Sequence, residues 1–301
     1  MPPIQGGVWP AMLTPVTDTG EPSAEMIERI VNVLIDDGVD GLYLLGSTGQ
    51  GPAFSVEQRK GVAELALNAT AGRVPAIVHV GCVSTLDSVE LAKHAESVGA
   101  DGISSVPPIY YASGPDVVFE HYRRIGSSTG LPFFPYHHTM FGEAALADPG
   151  YTDQLMAIPN IAGMKITVRD LYIFGLIHQC TGGKLQLFSG ADELICHAAV
   201  SGSTGAIGSF YNLWGPACKQ ARQAFVAGDF ERARSFMAVF QSTLDHILHS
   251  SSPFGFLRTA MRVKYDVEIG AGRAPMSLTA SEWNEDEVRE IIARLDATAE
   301  S

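Results

Sequence analysis

The feature that most constrains this chain is a recurring punctuation. An amphipathic stretch ends at glycine, a polar residue follows, and a short apolar run begins, as in DDGVDGLYLL, SVGADGISSV and SGSTGAIGSF. Closing a helix in the left-handed backbone region costs glycine nothing, so Gly38 and Gly99 read as helix stops, and Gly41 and Gly102 open the strands that follow. Such runs predict strands at 7–14, 41–45, 75–80, 102–106, 132–136, 161–165, 185–189 and 204–208, each with a helical pattern behind it. Eight β-α units in about 220 residues suit a closed (β/α)8 TIM barrel, usually about 250 residues, better than an open doubly wound sheet. Beyond the eighth unit the periodicity is purely helical, which predicts a C-terminal helical extension. No linker or low-complexity segment intervenes. Residues 1–216 are therefore expected to form the barrel core, and 217–301 the last barrel helix and the extension of the same domain.

Composition agrees with a packed enzyme-sized domain and excludes several classes. Of 301 residues, 46% are hydrophobic and only 18% charged, enough apolar material for a large core and too much for a disordered chain. The net charge of −13, with no lysine or arginine tract, argues against a nucleic acid or an anionic membrane as partner. Cys82, Cys180, Cys196 and Cys218 are far apart and show no C-x-x-C spacing, as expected for reduced thiols in the cytoplasm. No basic segment precedes an apolar stretch at the N-terminus, and no run reaches the roughly 18 apolar residues that span a bilayer. A cytoplasmic location is the expectation.

In a barrel of this kind, reactive groups gather at the C-terminal ends of the strands and in the loops that follow. Of the six lysines, Lys60, Lys93, Lys219 and Lys264 fall on polar faces of predicted helices, and Lys184 lies before strand 7, at the barrel's bottom. Lys165 differs: it closes the apolar strand IAGMK, where partial desolvation favours a neutral, nucleophilic amine able to form a Schiff base with a ketone. The ordinary alternative is a lysine that snorkels from the strand end or pairs with Asp192 or Glu193. The loop Gly46-Ser47-Thr48-Gly49-Gln50-Gly51 after strand 2 brings hydroxyls and approachable amides that suit a carboxylate or phosphate; its ordinary reading is a tight βα turn. Tyr136, at the predicted end of strand 5, can move a proton without adding charge, or can simply hold its hydroxyl in water. A metal cluster of His137, His138, Glu193 and His197 has weak support, since neither H-E-x-x-H nor a Cys/His spacing is present. The G-x-S-x-G match at 126–130 lies between a helix and a strand, the wrong order for a nucleophile elbow.

Taken in order, G-S-T-G after strand 2, Tyr136 at strand 5, Lys165 at strand 6 and the Gly190-Ala191-Asp192-Glu193 turn after strand 7 give a specific combination. It resembles the N-acetylneuraminate lyase and dihydrodipicolinate synthase family of class I pyruvate aldolases, from GGVWPAMLTPV to the GRAP segment at Arg273. The resemblance implies that Lys165 forms a covalent imine with pyruvate, that Tyr136 relays protons, and that Ser47 and Thr48 hold the pyruvate carboxylate. It implies substrate contacts at Thr167, Gly190, Asp192, Glu193 and Ser209, with no metal and no organic cofactor. It also implies a homotetramer, a dimer of dimers in which Tyr110 or Tyr111 of PPIYY reaches the neighbouring site. The small-molecule partners would be a 2-keto acid and an aldehyde.

Asp192-Glu193, GSFYN, Thr167 and the Tyr136-His137 pair resemble the lyase branch. The synthase branch carries an arginine shortly after the tyrosine, and His138-Thr139-Met140-Phe141 has none to clamp a second carboxylate. Gln50 stands where a glutamate is usual, Phe210 where a threonine is, and His138-Thr139-Met140 where isoleucine-proline-alanine is. A 2-keto-3-deoxy sugar acid aldolase or dehydratase, a synthase-like enzyme, a metal-dependent barrel and a non-catalytic 2-keto acid-binding barrel therefore stay open as alternatives.

Overall fold

The computed structural model describes residues 4–108, 110, 114–138, 149–276 and 281–300. Strands and helices alternate through β1 (Gly7–Pro10), α1 (Ala24–Asp36), β2 (Leu42–Leu44), α2 (Val56–Thr70), β3 (Ala76–His79), α3 (Thr85–Ser97), β4 (Gly102–Ser105) and α4 (Pro115–Gly126). They continue through β5 (Phe133–His138), α5 (Pro149–Met156), β6 (Gly163–Thr167), α6 (Tyr172–Cys180), β7 (Gln186–Ser189), α7 (Ile195–Val200), β8 (Gly205–Gly208) and α8 (Tyr211–Val226). Then come α9 (Phe230–Leu248), α10 (Pro253–Tyr265) and α11 (Glu285–Glu300). The (β/α)8 barrel with a C-terminal helical extension is thus the observed architecture.

All ladders are parallel and each strand follows its predecessor around the barrel. Between β1 and β2, closure rests on a bridge of Ala11 with Tyr43, where the Met12 N–H donates to the Tyr43 carbonyl at 2.9 Å. Helix ends follow the sequence signals. Gly38 and Gly99 sit at φ +86° and +82°, past the last turns of α1 and α3. Ser55 and Gln58 form a reciprocal capping box that starts α2.

Two apolar layers result from strand alternation. Trp9, Tyr43, Ile77, Phe134, Phe188 and Ile207 form a small cluster in which Phe188 of β7 touches both Trp9 of β1 and Phe134 of β5. Rings from such distant strands meet only in the lumen, so this cluster is the barrel's interior plug. The opposite strand faces and the inner faces of the helices make the larger core around it. The extension joins that core through buried Trp214 of α8, whose ring meets Phe240 of α9 and Phe256 of α10 at 6.2 and 6.1 Å.

Two strand ends differ from the sequence reading in a way that matters for chemistry. β5 continues through His138 and β6 through Thr167, so Tyr136 and Lys165 lie inside their strands rather than at the ends. The sequence reading assumed that a lysine terminates an apolar run. In the barrel the lysine stays in register with Tyr136 on one side and Phe188 on the other, facing a lumen that has its own polar groups. Among the described residues no helix is long and apolar enough to cross a membrane.

Candidate active site

Lys165 is the centre of the lumen. It is 6% exposed, and its Nζ lies 4.3 Å from the ring centroid of Tyr136 and 4.6 Å from that of Tyr43. Burial disfavours the ammonium and brings its pKa down to about 8, while the nearby Asp192 pulls the other way. The two aromatic faces also favour a cation there. The site therefore yields a neutral amine at modest cost and can still hold a positive charge once an iminium has formed.

Around Lys165 is a cavity of about 630 Å³ lined by Ser47, Thr48, Pro52, His79, Val106, Tyr136, His138, Thr167, Gly190, Ile207, Gly208 and Ser209. The Tyr136 hydroxyl is 3.2 Å from Thr167 Oγ1. Burial pushes the phenol up to about 12, so it stays protonated near neutral pH and can donate. Gly190 is required beside this pair: a Cβ there would stand 1.9 Å from Thr167 Oγ1 and 3.1 Å from Lys165 Cε.

The β2 loop supplies the opposite wall. Leu45 and Gln50 adopt φ +60° and +54°, folding the segment back so that Gly51 N–H donates to the Gly46 carbonyl. Among the described residues, the backbone N–H groups of Ser47, Thr48 and Gly49 have no protein acceptor. Thr48 Oγ1 and Ser209 Oγ lie 2.6 Å apart, which ties this loop to the end of β8. Consecutive free amides with two hydroxyls make a receptor for a carboxylate. Gln50 itself is buried and accepts the Arg273 N–H at 2.6 Å, anchoring the loop to the GRAP segment.

Lys165, Tyr136, Ser47, Thr48, Thr167, Gly190 and Ser209 thus share one cavity, whereas the carboxyls of Asp192 and Glu193 are absent from its lining. Asp192 is buried and accepts the Phe210 N–H at 2.7 Å, at the start of α8. Burial raises its pKa to about 7 against that hydrogen bond and against Lys165. Glu193 instead lines an outer groove with Arg169, Gln241 and Asp245. Phe210 stacks on Trp214 with centroids 6.1 Å apart, a packing role away from the lumen. Tyr110 is 78% exposed, and Tyr111 lies outside the described residues, as does 139–148.

The histidines proposed as metal ligands separate by strand alternation. His137 points outward, its Nε2 3.3 Å from the Tyr151 hydroxyl and its ring beside Tyr122, while His138 faces the lumen. No three His, Cys, Asp or Glu side chains converge on a metal position among the described residues.

Sequence reasoning missed two residues of this site, Tyr43 and His79. Tyr43 donates to Ser104 Oγ at 2.9 Å and presents its ring to Lys165. His79 is 2% exposed, and its Nε2 accepts the Val106 N–H at 3.2 Å. Buried Arg59 holds the backbone next to it, donating to the carbonyls of His79 and Gly81 at 2.6 and 3.0 Å. The available signal was a side chain with a polar tip on each of two otherwise apolar strands, Tyr43 in LYL and His79 in AIVH.

The dihydrodipicolinate synthetase family model matches residues 5–295. N-acetylneuraminate lyase of Mus musculus is 31% identical over 283 residues, covering 92% of this chain and 88% of the mouse protein. The wild-type sialic acid aldolase of Ruminococcus gnavus superposes with a TM-score of 0.91 at 26% identity, covering 98% of both chains. The CdNal protein of Clostridium difficile, crystallised in complex with mannosamine, gives 0.88 at 26% identity, with 96% of this chain and 99% of that one covered.

Proposed function

This chain belongs to the dihydrodipicolinate synthetase family, and from that premise we propose that it is a Schiff-base-forming pyruvate aldolase of the N-acetylneuraminate lyase type. It cleaves a 2-keto sugar acid to pyruvate and an aldehyde. The observation that carries this reading is the desolvated Lys165 amine facing a row of free backbone amides across one cavity.

The chemistry follows from the groups present. The substrate carboxylate sits on the amides and hydroxyls of Ser47 and Thr48, which presents the C2 ketone to Lys165 Nζ. Attack gives a carbinolamine; Tyr136 donates the proton with which water leaves, and the protonated imine then lies between the rings of Tyr43 and Tyr136. The iminium draws the C3–C4 bonding electrons. Tyr136 accepts the C4 hydroxyl proton as that bond breaks, and the Thr167 hydroxyl beside it keeps the phenol from carrying a full charge. An aldehyde departs, the enamine is protonated at C3, and hydrolysis frees pyruvate and the amine. The iminium is the electrophile, so this route uses neither metal nor organic cofactor.

The lining of the cavity includes no arginine among the described residues, consistent with an aldehyde half that is hydroxylated rather than anionic. Comparing pyruvate release from N-acetylneuraminate and from 2-keto-3-deoxygluconate tests the substrate class. The expected result is kcat/KM at least about tenfold higher for the nine-carbon acid. The reverse order, or loss of water without aldehyde release, contradicts it.

The reading extends to a homotetramer of cytoplasmic subunits, with 1–216 and 217–301 acting as one domain. Exposed Val83, Leu86, Tyr110 and Val117 in and after the loops that follow β3 and β4 support an interface between copies, with Tyr110 or Tyr111 reaching the neighbouring site. Sedimentation at dilute concentration checks the assembly, and a monomer would rule it out.

A further inference from the structure

The carboxylate receptor is assembled from segments that follow two different strands. The amides of the β2 loop and the Thr48 hydroxyl form one half; Ser209, after β8, forms the other, with Thr48 Oγ1 and Ser209 Oγ 2.6 Å apart. The loop half rests on the continuation of β1: a Cβ on Gly49 would stand 2.6 Å from the Met12 carbonyl oxygen and 3.0 Å from Thr14 Oγ1. Alternate residues of that continuation face opposite neighbours. The Ala11 N–H donates to the Gly208 carbonyl at 2.8 Å, on the β8 side, and the Met12 N–H to the Tyr43 carbonyl at 2.9 Å, on the β2 side. Because β8 ends at Gly208, the Ala11 carbonyl and the Leu13 N–H meet no further strand on that side.

Asn212 takes the place of that strand. Its side chain comes from the first turn of α8, just after Ser209. Oδ1 accepts the Leu13 N–H at 3.3 Å, and Nδ2 donates to the Ala11 carbonyl and to the Ser209 carbonyl, both at 2.8 Å. A primary amide carries a donor and an acceptor side by side, as a peptide group does, and keeps a second N–H for Ser209. Its partners fix which end is oxygen, since carbonyls only accept and a backbone N–H only donates. Asn212 is fully buried and absent from the cavity's lining. One side chain thus grips both supports of the receptor: the β1 continuation beneath Gly49, and the residue that carries the Ser209 hydroxyl.

We propose that Asn212 is a positioning residue that sets the separation of the β2 loop and Ser209 for the carboxylate of a 2-keto acid, without touching the substrate. The assignment rests on the aldolase reading above and deepens it. Hydrogen bonds to a carboxylate are short and directional, so an anion held by several donors at once is weakened when the donors shift relative to one another. Without the Asn212 amide, Ser209 and the β1 continuation lose their common tie, and buried groups of Ala11 and Leu13 lose their partner. A ketone that has no carboxylate makes no use of the receptor, so its reaction with Lys165 should not respond to the loss.

The test measures borohydride-trapped imine formation at Lys165 with pyruvate and with hydroxyacetone, a ketone without a carboxylate, in the parent protein, in Asn212→Ala and in Asn212→Asp. The ratio of the two second-order rates is read within each protein, so a smaller folded fraction lowers both rates alike and cancels. The parent is expected to favour pyruvate at least about 100-fold. Asn212→Ala should lower that ratio at least about tenfold, through the pyruvate rate. Asn212→Asp keeps the size of the side chain and the acceptor for Leu13 but gives up the amide donors, and should lower the ratio as well, which keeps the test open if the alanine variant folds poorly. A ratio unchanged in either folded variant, with both ketones slowed equally or not at all, overturns the assignment. A parent ratio near one overturns the carboxylate receptor and the assignment with it. Absence of any trapped pyruvate on the parent's Lys165 overturns instead the aldolase reading beneath it.

Discussion

Lys165→Met is expected to lower kcat by at least about 10⁴-fold, because among the described residues no other amine lines the cavity to form an imine at C2. Methionine has nearly the length of lysine and packs well against aromatic rings, so the position between Tyr43 and Tyr136 remains filled. Asp192 loses its cationic neighbour but keeps the hydrogen bond from the Phe210 amide, so the thermal midpoint should hold. A variant that melts far earlier would show that the lysine is structural.

The parent enzyme carries a linked pH signature. The Lys165 pKa lies below the ordinary lysine value, so the reactive neutral form is the minor one under acid conditions and grows as pH rises through about 8. Relative to an unperturbed lysine, this gives roughly 300-fold more free amine at pH 7. The rate of adduct formation with pyruvate should therefore climb and level off near pH 8 to 9. Asp192 titrates within electrostatic reach, so the limb belongs to the pair as much as to the lysine. A limb near pH 10 would mean that the amine is not desolvated.

Tyr136→Phe should cost about 10² to 10⁴-fold in kcat with a small change in KM. The substitution keeps the ring face over Lys165 and removes only the hydroxyl that meets Thr167. The lost hydrogen bond is worth about 1 kcal/mol, so folding should be nearly unaffected. Pyruvate should still form an imine slowly with water as proton donor, while cleavage, which needs a base at the C4 hydroxyl, suffers most. Steady-state rates set beside single-turnover imine formation separate the two steps. Equal losses in both would assign the tyrosine to orientation rather than to proton transfer.

Much of the architecture is legible in residues whose chemistry leaves few choices. The glycines after α1 and α3 mark helix ends because few other side chains accept their backbone geometry. Lys165 emerges by exclusion among six lysines. Lys60 pairs with Glu57 and Glu90, Lys219 with Asp40 and Lys264 with Asp296, as polar-face lysines should.

Residues whose role depends on which way a strand faces were harder to read. Leu42-Tyr43-Leu44 is buried on both sides, as barrel strands are, so its sequence carries no alternation to point Tyr43 inward. His138 follows Tyr136 at the right spacing for the lumen, but a strand ended at 136 leaves it in a loop. In the sequence Asp192 resembles half of an acidic pair that contacts substrate. Burial in the fold gives its carboxylate the Phe210 amide at the start of α8, a partner 18 residues away in sequence.

The central claim is a covalent bond between Lys165 and pyruvate, and its most direct test is intact mass after incubation with pyruvate and borohydride, followed by peptide mapping. The account predicts one reduced pyruvate per chain, located on the peptide that contains Lys165 and absent from Lys165→Met. A folded protein that gains no adduct, or gains it on another lysine, contradicts the account.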